Sequence, residues 1–428
     1  MLKAGFSRVD VTPPLGSYIS GYFEERYAKG VLDPIQLNAL AFSDGTETDL
    51  IIISDFIGVD CKYCEIIRKK IVERTGMDEK HIMLSALHQH TSVCVAERDP
   101  YTRNDILYME SLYRKYCDVA QMALNDMKEA ELGIATEETA EPIAFIRKYL
   151  MTDGTIIGHP HNRQHEIVRR LGDGDNLVRL LRFKRECAND IALVNFCTHP
   201  DLIGGEYLSA DWPGFVRRYV EKDIEGVSCL LLNGVQGDSN HCDYLTTPRG
   251  GYEHSSFMGR TIADTVLRLW DKTVPQQSPD VNGGIENVFL PTRTDGMEQY
   301  DACKQLLEDV NNKKPGVNPS GEELGRAGRV VRMRTAPLFQ CVPVTVMKLG
   351  DACFVGFGGE PFTHYATALR EAFPEKLILS SCCCNGYEGY LPTKQAFEWG
   401  GYEASASPFP TNLEDECVKA AVGLIERL

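Results

Sequence analysis

One arrangement occurs three times in this sequence: two apolar segments around a short turn, then a helical segment, then a third apolar segment that ends in polar residues. The copies cover residues 37–42, 50–54, 63–75 and 81–87; residues 177–183, 191–197, 212–224 and 227–232; and residues 344–349, 353–357, 362–373 and 377–381. Short apolar segments that alternate with helical ones are typical of α/β proteins. The sequence therefore predicts an α/β fold with mixed β-sheets flanked by helices, built from repeated hairpin–helix–strand units.

The size and charge of the chain limit the classes of protein to which it can belong. With 428 residues, of which 43% are hydrophobic and 25% are charged, it has the composition of a globular protein with a sizeable core. The net charge of -16 argues against nucleic-acid binding and against electrostatic docking on anionic membranes. No apolar run approaches the roughly 18–20 residues of a membrane span. We predict no stable membrane insertion and, because no apolar leader precedes the first strand, a cytoplasmic location.

The chain shows no long linker or low-complexity segment. Its main irregular break is the segment 273–282, where Pro275 and Pro279 bracket polar residues. We therefore expect one domain over residues 1–428, with 273–282 as the place where it would subdivide.

The cysteines are numerous but do not resemble a disulfide framework. There are fifteen of them, and Cys382, Cys383 and Cys384 are contiguous within a strand-like stretch. Neighbouring residues on a strand point to opposite faces, which does not suit paired disulfides. We interpret most of these cysteines as small buried residues, with a thiol-based or thiolate–metal function as the alternative.

Metal-ligand side chains follow the apolar strands at equivalent places in the three copies. His88 and His90 come directly after the first copy, and on an extended strand their spacing would put both imidazoles on one face. His199 follows a strand of the second copy, and Glu360 follows a strand of the third. Each is a weak signal alone, because such histidines are more often structural and Glu360 also suits a helix N-terminus. Since α/β proteins bind ligands beyond the carboxyl ends of their strands, together they indicate a metal site.

Several short motifs in this order resemble the neutral/alkaline (non-lysosomal) ceramidase family. They are Ala86-Leu87-His88-Gln89-His90-Thr91-Ser92, His199, Gly237-Asp238-Ser239-Asn240, Gly359-Glu360-Pro361-Phe362-Thr363, Tyr390 and Tyr402, after an opening Gly5-Phe6-Ser7-Arg8-Val9-Asp10-Val11-Thr12-Pro13. The resemblance covers essentially the whole chain and matches the catalytic domain of that family. Its members are zinc-dependent amidases that hydrolyse the N-acyl bond of ceramide.

Position by position, the resemblance implies a set of zinc ligands and a set of catalytic side chains. The implied zinc ligands are His88, His199, Glu360 and Tyr390. The implied catalytic residues are His90, which would lie beside the metal, Arg147, Tyr402 and Ser239. Tyr390 and Tyr402 keep the family's twelve-residue separation. Ser239 is the loosest match, because Asn240 stands where the family has proline followed by asparagine.

The function implied is a zinc-dependent hydrolase that cleaves an amide (N-acyl) bond of a small molecule through metal-activated water. Two histidines and a carboxylate form a common catalytic zinc set, and zinc lowers the pKa of bound water to about 7. Ceramidases carry a further β-sandwich domain, which we do not expect here because the chain ends soon after Tyr402. A smaller, polar amide is therefore as plausible a substrate as ceramide. The alternatives are an esterase, a non-catalytic zinc-containing ligand-binding protein, or a thiol enzyme that uses Cys197, Cys242 or the 382–384 run.

Further interpretations concern residues around the site. Asp55 and Asp211 are candidate acceptors for the second ring N–H of the ligand histidines. The segment 311–334, rich in glycine, proline and basic residues, is interpreted as an irregular loop: a solvated face, or a lid that steers an anionic substrate. His159, His161 and His165 are more typical of an entrance loop than of a second metal cluster. His81 is expected at the surface.

Overall fold

The structure, a computed structural model, describes residues 1–96, 106–246 and 250–428, and it confirms the threefold repeat. Unit one comprises β1 (Lys3–Asp10), β2 (Gln36–Ser43), β3 (Thr48–Ser54), α1 (Cys61–Thr75) and β4 (Ile82–Ala86). After α2 (Ile106–Asn125), unit two comprises β5 (Lys128–Glu138), β6 (Leu177–Arg185), β7 (Asp190–Phe196), α3 (Asp211–Asp223) and β8 (Val227–Asn233). After α4 (Gly251–Leu269), unit three comprises β9 (Val281–Pro291), α5 (Tyr300–Asn311), α6 (Gly321–Met333), β10 (Phe339–Leu349), β11 (Ala352–Phe357), α7 (Thr363–Ala372) and β12 (Leu377–Ser381).

The remaining elements are short. The last helices are α8 (Lys394–Trp399), α9 (Tyr402–Ala406) and α10 (Leu413–Arg427). Short strands are Gly30–Val31, Gly58–Val59, Cys94–Val95, Phe145–Ile146, Tyr149–Met151, Ile156–Ile157, Ile167–Arg170, Tyr207–Leu208, Ser239–Asn240, Val274–Pro275, Glu360–Pro361 and Tyr390–Leu391. Turns of 3₁₀ helix occur at Glu79–His81, His161–Glu166, Trp270–Lys272 and Met297–Gln299.

Each unit has the same strand pairing. The two strands of the hairpin are antiparallel, and the strand after the helix pairs in parallel with the second hairpin strand. Each unit also has a fourth strand that the sequence repeat did not reveal. These strands, β1, β5 and β9, pair antiparallel with the first hairpin strand of their units. Pairing of β1 with β5 joins units one and two into one sheet, while unit three forms a sheet of its own. This result confirms the mixed α/β sheets flanked by helices.

Local signals explain where the elements begin and end. Helix α1 begins after Asp60, whose side chain accepts a hydrogen bond from the amide of Tyr63 at 3.0 Å, a usual N-cap. It ends at Gly76, whose φ of 74° is the left-handed conformation that glycine adopts without a steric penalty. Strand β3 contains Ile51, Ile52 and Ile53 in succession, all fully buried, because both faces of this strand are covered.

The three units meet at the carboxyl ends of their parallel strands. One buried apolar cluster contains Ile53 of unit one, Leu193 of unit two and Phe354 of unit three. It also includes residues from both sides of the 273–282 segment, such as Leu193 and Phe354. Shared burial of this kind fixes how the units are oriented, because a displaced sheet would expose apolar surface to water.

Polar contacts join the strand ends beyond that apolar cluster. The side-chain amide of Asn233 donates to the carbonyl of Leu87 at 3.0 Å, and the main-chain carbonyl of Asn233 accepts from the amide of Cys382 at 3.2 Å. The hydroxyls of Ser85 and Ser381 lie 2.8 Å apart. These bonds hold the ends of β4, β8 and β12 together, and the loops that follow them therefore converge on one place.

Two sequence-based interpretations need correction. The segment 311–334 is not an irregular loop, because residues 321–333 form α6, which begins with a capping box between Ser320 and Glu323. His81 is not at the surface: it is buried, and its Nδ1 lies 2.5 Å from Asp49 Oδ1. Both interpretations were based on polar residues. Such residues are common in exposed loops, but they also form helix N-caps and buried hydrogen-bonded pairs.

The cysteines behave as the sequence suggested. All fifteen are free thiols, and Cys382, Cys383 and Cys384 are buried.

None of the helices in the described part of the chain combines the length and apolar character that a membrane-spanning segment needs.

Candidate metal centre and active site

Three buried histidines meet at the junction of units one and two. Each of His88, His90 and His199 offers a ring nitrogen that lies within 4.8 Å of the other two. Across residues 1–96, 106–246 and 250–428, no other group of three histidine, cysteine or acidic side chains satisfies the same distance test. His159 and His161 instead stack on each other near Tyr244, and their place in an entrance loop stays a prediction.

His88 and His90 approach each other in a different way from the one predicted. Strand β4 ends at Ala86, so the two histidines lie in the following turn and not on an extended strand. His88 has a φ of 70°, a left-handed conformation that is uncommon for any residue except glycine. Strain of this kind occurs mainly at functional sites, where the surrounding structure imposes it. The ring centroids still stand only 5.1 Å apart.

Unit three adds the carboxylate of Glu360 to this cluster. Glu360 Oε2 lies 3.2 Å from His88 Nε2 and 3.8 Å from His199 Nε2, and its side chain is 2% exposed. The short strand Glu360–Pro361 pairs in parallel with Tyr390–Leu391, which sets Glu360 and Tyr390 side by side. The structure therefore brings together the implied ligands from all three units, and the ring centroid of His90 lies 5.1 Å from that of His88 and 5.2 Å from that of His199.

The hydrogen bonds of the histidines show which ring nitrogens face the cluster. His88 Nδ1 lies 2.8 Å from the carbonyl of Ile57, and His199 Nδ1 lies 3.1 Å from the carbonyl of Gln236. A carbonyl only accepts, so both Nδ1 atoms carry hydrogen and both Nε2 atoms face the cluster, where each can serve as a metal ligand once it carries no hydrogen. There they meet the lone pairs of Glu360 Oε2. Either a proton on His88 Nε2 or a metal cation between these atoms would stabilise this arrangement.

The spacing of these atoms fits a zinc ion. Ligand atoms of a tetrahedral zinc site with bonds of about 2.0 Å stand roughly 3.3 Å apart. The 3.2 Å and 3.8 Å separations from Glu360 Oε2 lie near that value. His199 Nε2 and Glu360 Oε2 are buried without a hydrogen-bond partner among the described residues. Imidazole nitrogen and carboxylate oxygen are ligand types that zinc prefers, so the residues present fit the group.

The electrostatics of the cluster agree with cation binding. Burial lowers the pKa of His90 to about 4, and burial together with Arg147 and His88 holds the pKa of His199 well below its usual value. Burial raises the pKa of Glu360, but His88 and Arg147 outweigh that effect and the net shift is downward. At neutral pH His90 and His199 are therefore neutral and Glu360 is ionised. Burial lowers the pKa of His88, but the Glu360 carboxylate outweighs that effect and the net shift is upward, so a metal cation bound by His88 would replace a proton on that ring.

Tyr390 lies beside Glu360 and contacts Arg147. Arg147 Nη2 donates to the hydroxyl of Tyr390 at 3.2 Å and to the carbonyl of Gly237 at 2.8 Å. The ring of Tyr402 packs edge-on against Tyr390, with centroids 5.5 Å apart. The sequence-predicted residues Arg147, Tyr390 and Tyr402 therefore form one contiguous group next to Glu360.

A buried carboxylate holds Arg147 in place. Glu403 Oε1 lies 2.9 Å from Arg147 Nε, and Glu403 Oε2 accepts from Lys148 Nζ at 2.6 Å. Burial raises the pKa of Glu403, but Lys148 and Arg147 outweigh that effect and bring it to about 2. This ion-pair cluster links the short strand before Lys148 to α9 and orients the guanidinium towards Tyr390.

Glu403 should contribute stability that depends on pH. Its folded pKa of about 2 lies below the roughly 4.3 of an unfolded glutamate, so the contribution is complete above about pH 5 and is lost as the pH falls through 4 towards 2. At 1.36 kcal/mol per pKa unit, it amounts to about 3 kcal/mol at pH 7 and roughly half of that at pH 3. Urea unfolding of wild type and Glu403→Gln at pH 7, 5 and 3 should show their difference in free energy of unfolding shrinking with acid. The exposed Glu426, changed to glutamine, is the control; an unchanged difference from pH 7 to 3 would contradict the prediction.

Ser239 lies next to His199 but its hydroxyl is engaged with the backbone. The Ser239 hydroxyl donates to the carbonyl of Cys197 at 3.4 Å, and the Ser239 carbonyl accepts from the amide of His199 at 3.3 Å. Its short strand pairs with Ile146 and so brings the segment of Arg147 to the cluster. In this structure Ser239 positions His199 and Arg147; its catalytic role stays a prediction.

Comparisons with known proteins were made against families, curated sequences and solved structures. No protein-family model matches the chain, and no curated protein matches it either. The crystal structure of neutral ceramidase from Pseudomonas aeruginosa matches with a TM-score of 0.73 and 14% identity, covering 100% of this chain and 75% of that one. A ceramidase in complex with C2 matches with a TM-score of 0.73 and 13% identity, covering 100% of this chain and 76% of that one. This chain has the neutral ceramidase fold.

Within this ceramidase fold, the predicted outer partners of the histidines are wrong. The second nitrogens of His88 and His199 bond to backbone carbonyls, not to Asp55 or Asp211. Asp55 forms a two-pronged ion pair with Arg217, and Asp211 accepts from the amides of residues 202, 203 and 212 and from the hydroxyl of Ser255. Main-chain carbonyls of loops accept the hydrogen bonds that we expected carboxylates to accept. Because every residue has such a carbonyl, the sequence gives no signal for them.

Sequence reasoning also missed two residues beside His90. Asp201 Oδ1 lies 3.5 Å from His90 Nδ1, and the hydroxyl of Tyr22 donates to the same carboxylate. The ring of Tyr22 packs against His90 with centroids 5.3 Å apart. The position of Asp201, two residues after His199, was a signal that could have been used. No signal in the sequence connects Tyr22 to this site, because it lies far away in the chain.

A cavity opens beside the cluster. It has a volume of about 220 Å³, and Glu360, Tyr390 and Tyr402 form the wall nearest the histidines. Apolar side chains, including Ile57 and Met333, line much of the rest. Because ligand sites are typically concave, largely apolar and supplied with a few polar groups, this cavity is the candidate substrate site.

Proposed function

We propose that this protein is a zinc-dependent hydrolase that cleaves the N-acyl (amide) bond of a small molecule. The observation that supports this most directly is the convergence of the Nε2 atoms of His88 and His199 on the carboxylate of Glu360 at the wall of the cavity. The similarity in fold to two ceramidases, which cleave an amide bond, favours amide hydrolysis over other zinc chemistry.

In this proposal His88, His199 and Glu360 hold the metal, with Tyr390 as a further ligand from the wall of the cavity. Bound there, zinc supplies a Lewis acid for the scissile carbonyl and lowers the pKa of a coordinated water towards about 7. The site excludes bulk water, since His88, His199 and Glu360 are each at most 2% exposed. Burial of this kind strengthens every charge interaction within the site.

Other side chains of the chain stabilise charge and move protons. Arg147 keeps a positive charge beside Tyr390, because the Tyr390 hydroxyl and the Glu403 carboxylate counter the effect of burial and raise its pKa. It would oppose negative charge that develops on the substrate oxygen, together with the hydroxyl of Tyr402. His90, neutral at pH 7 and without a hydrogen bond to either ring nitrogen among the described residues, can take a proton and pass it to the departing amine.

A graded set of amides tests this function. Acetyl, hexanoyl, octanoyl and palmitoyl amides of one chromogenic amine, with the matched esters, would be assayed before chelation, after chelation, and after zinc is added back. We expect about one zinc per chain, amide hydrolysis that chelation abolishes, and recovery on addition of zinc. Ester cleavage without amide cleavage would favour the esterase.

Two further outcomes would contradict the proposal. If the chain binds zinc but hydrolyses no amide or ester, the result would indicate a non-catalytic ligand-binding protein. Activity that survives chelation but is lost to iodoacetamide would indicate a thiol enzyme instead.

A further inference from the structure

Helix α6 forms part of the wall of the cavity that Glu360 also lines. Gly328 and Arg332 of this helix line the cavity, as do Leu307 of α5 and Pro408 after α9. Helix α6 packs closely on Tyr402, since a Cβ atom at Gly325 would stand 3.0 Å from Tyr402 Cδ2 and 2.6 Å from its carbonyl oxygen. The segment that the sequence presented as a basic loop is therefore a fixed wall of the substrate site.

One guanidinium of that helix faces the cavity. Arg332 is half-buried, and Nη2 makes a single long hydrogen bond to the carbonyl of Ala406 at 3.3 Å. No carboxylate of the described residues lies within ion-pair distance of it. Gly328 makes room for this side chain, because a Cβ atom there would stand 3.1 Å from Arg332 Nη1. An arginine has five N–H donors, so most of its capacity remains for a ligand.

The other basic side chains of the segment 311–334 are engaged elsewhere or point outward. Lys313 pairs with Glu24, and Lys314 pairs with Asp309. Arg329 is buried and bonds to Asp295 and to the carbonyl of Ser405. Arg334 lies over the ring of Tyr300, and Arg326 is exposed. Only Arg332 among these six lines the cavity.

The acidic residues of the cavity do not cancel Arg332. Glu360 belongs to the metal cluster, where a bound cation would balance its charge. Glu388 also lines the cavity, but its carboxylate accepts from the amide of Cys61 at 3.3 Å, at the first residue of α1. A helix N-terminus carries partial positive charge and stabilises a carboxylate there. The positive charge on the α6 wall of the cavity is therefore left for the ligand.

Glu360 and Arg332 line one cavity of about 220 Å³. Tyr402 also lines this cavity: its ring packs against Tyr390, beside Glu360, and its backbone packs against α6 at Gly325. A substrate whose amide lies at Glu360 would therefore pass Tyr402 and place its next functional group near Arg332.

We infer that Arg332 binds an oxyanion on the substrate, so that the preferred substrate is an N-acyl compound carrying a carboxylate apart from the scissile amide. This inference rests on the proposed amide hydrolysis and names the class of amide. A guanidinium is suited to this role, because its planar fork gives two parallel hydrogen bonds to a carboxylate. The carboxylate can stand on the amine part, as in an N-acyl amino acid, or on the acyl part, as in a dicarboxylic acid monoamide.

Binding to the full chain tests the inference without relying on turnover. Calorimetric titrations of the zinc-loaded chain, with chromatography to check for any product, would compare N-hexanoylglycine with its neutral methylamide, and suberic acid monoamide with octanamide. We expect the carboxylate compound of one pair to bind about tenfold or more tightly than its neutral partner. The pair that shows this preference identifies whether the carboxylate stands on the amine part or on the acyl part of the substrate. Arg332→Gln should reduce that preference to about twofold or less, and Arg332→Lys should retain part of it. Arg326→Gln, which makes the same charge change on the exposed face of α6, should keep the preference.

Three results would overturn the inference: equal binding within both pairs, a preference that persists in Arg332→Gln, or an equal loss in Arg326→Gln. Failure of amide hydrolysis would leave these binding results intact, so the two proposals can fail separately. Thermal unfolding of Arg332→Gln and Arg332→Lys would show that both variants fold.

Discussion

Replacing His88 with alanine should remove zinc and amide hydrolysis together. The change deletes one of the two ring nitrogens that face Glu360, and the remaining ligands would bind zinc far more weakly. Since both water activation and carbonyl polarisation are lost with the metal, we expect kcat/KM to fall at least about 10³-fold. Metal content by mass spectrometry and hydrolysis of the best amide from the graded set provide the two measurements.

Controls separate the loss of a ligand from a loss of folding. Alanine at the φ of 70° that His88 adopts adds backbone strain, whereas asparagine tolerates this conformation. His88→Asn should therefore show the same loss of zinc with a smaller change in stability. His364 is 61% exposed and pairs with Glu414 on the surface, so His364→Ala should keep both zinc and activity. Full zinc content in His88→Ala would refute the ligand assignment.

Replacing Asp55 with alanine should destabilise the fold more than most single substitutions. The Asp55 carboxylate pairs with Arg217 through contacts of 2.8 and 2.7 Å and also accepts from the amide of Gln36. Both partners are buried, with side chains 0% and 4% exposed. Removing one member leaves an unpaired charge in the interior, so we expect a loss of about 3–5 kcal/mol in the free energy of unfolding. Urea denaturation at pH 7 measures it.

Two comparisons make that prediction specific. Asp264→Ala removes a surface carboxylate that pairs with Arg260 and should cost less than about 1 kcal/mol. The double variant Asp55→Leu with Arg217→Met should recover much of the stability, because neither charge is then left unpaired. The folded fraction of Asp55→Ala should retain its zinc, since Asp55 does not contact the histidines. If the folded Asp55→Ala protein loses its zinc, the result would support the original prediction that Asp55 orients a ligand histidine.

The repeat was visible in the sequence because burial imposes it. Ile51, Ile52 and Ile53 can be buried together only in a strand covered on both faces, and each copy shows such a strand. The polar residues after those strands, His88, His199 and Glu360, were visible for the same reason, since they interrupt the apolar pattern. Order along the chain and residue type together were enough to propose the cluster.

The sequence could not predict what surrounds the cluster. The carbonyls of Ile57 and Gln236 orient the two histidines, and every residue carries a carbonyl, so no residue type marks them. The left-handed turn at His88 likewise depends on the packing of the loop after β4. Tyr22 reaches His90 only because a distant loop folds over it.

The sequence by itself therefore determined the threefold α/β repeat and the residue types at its strand ends, because hydrophobic periodicity and chain order are local properties. Only the tertiary structure decided that those ends meet, that Asp55 binds Arg217 and not a histidine, and that α6 turns Arg332 into the cavity. These contacts join residues from different units. Their distances follow from how the three units pack, and packing depends on all the side chains at once.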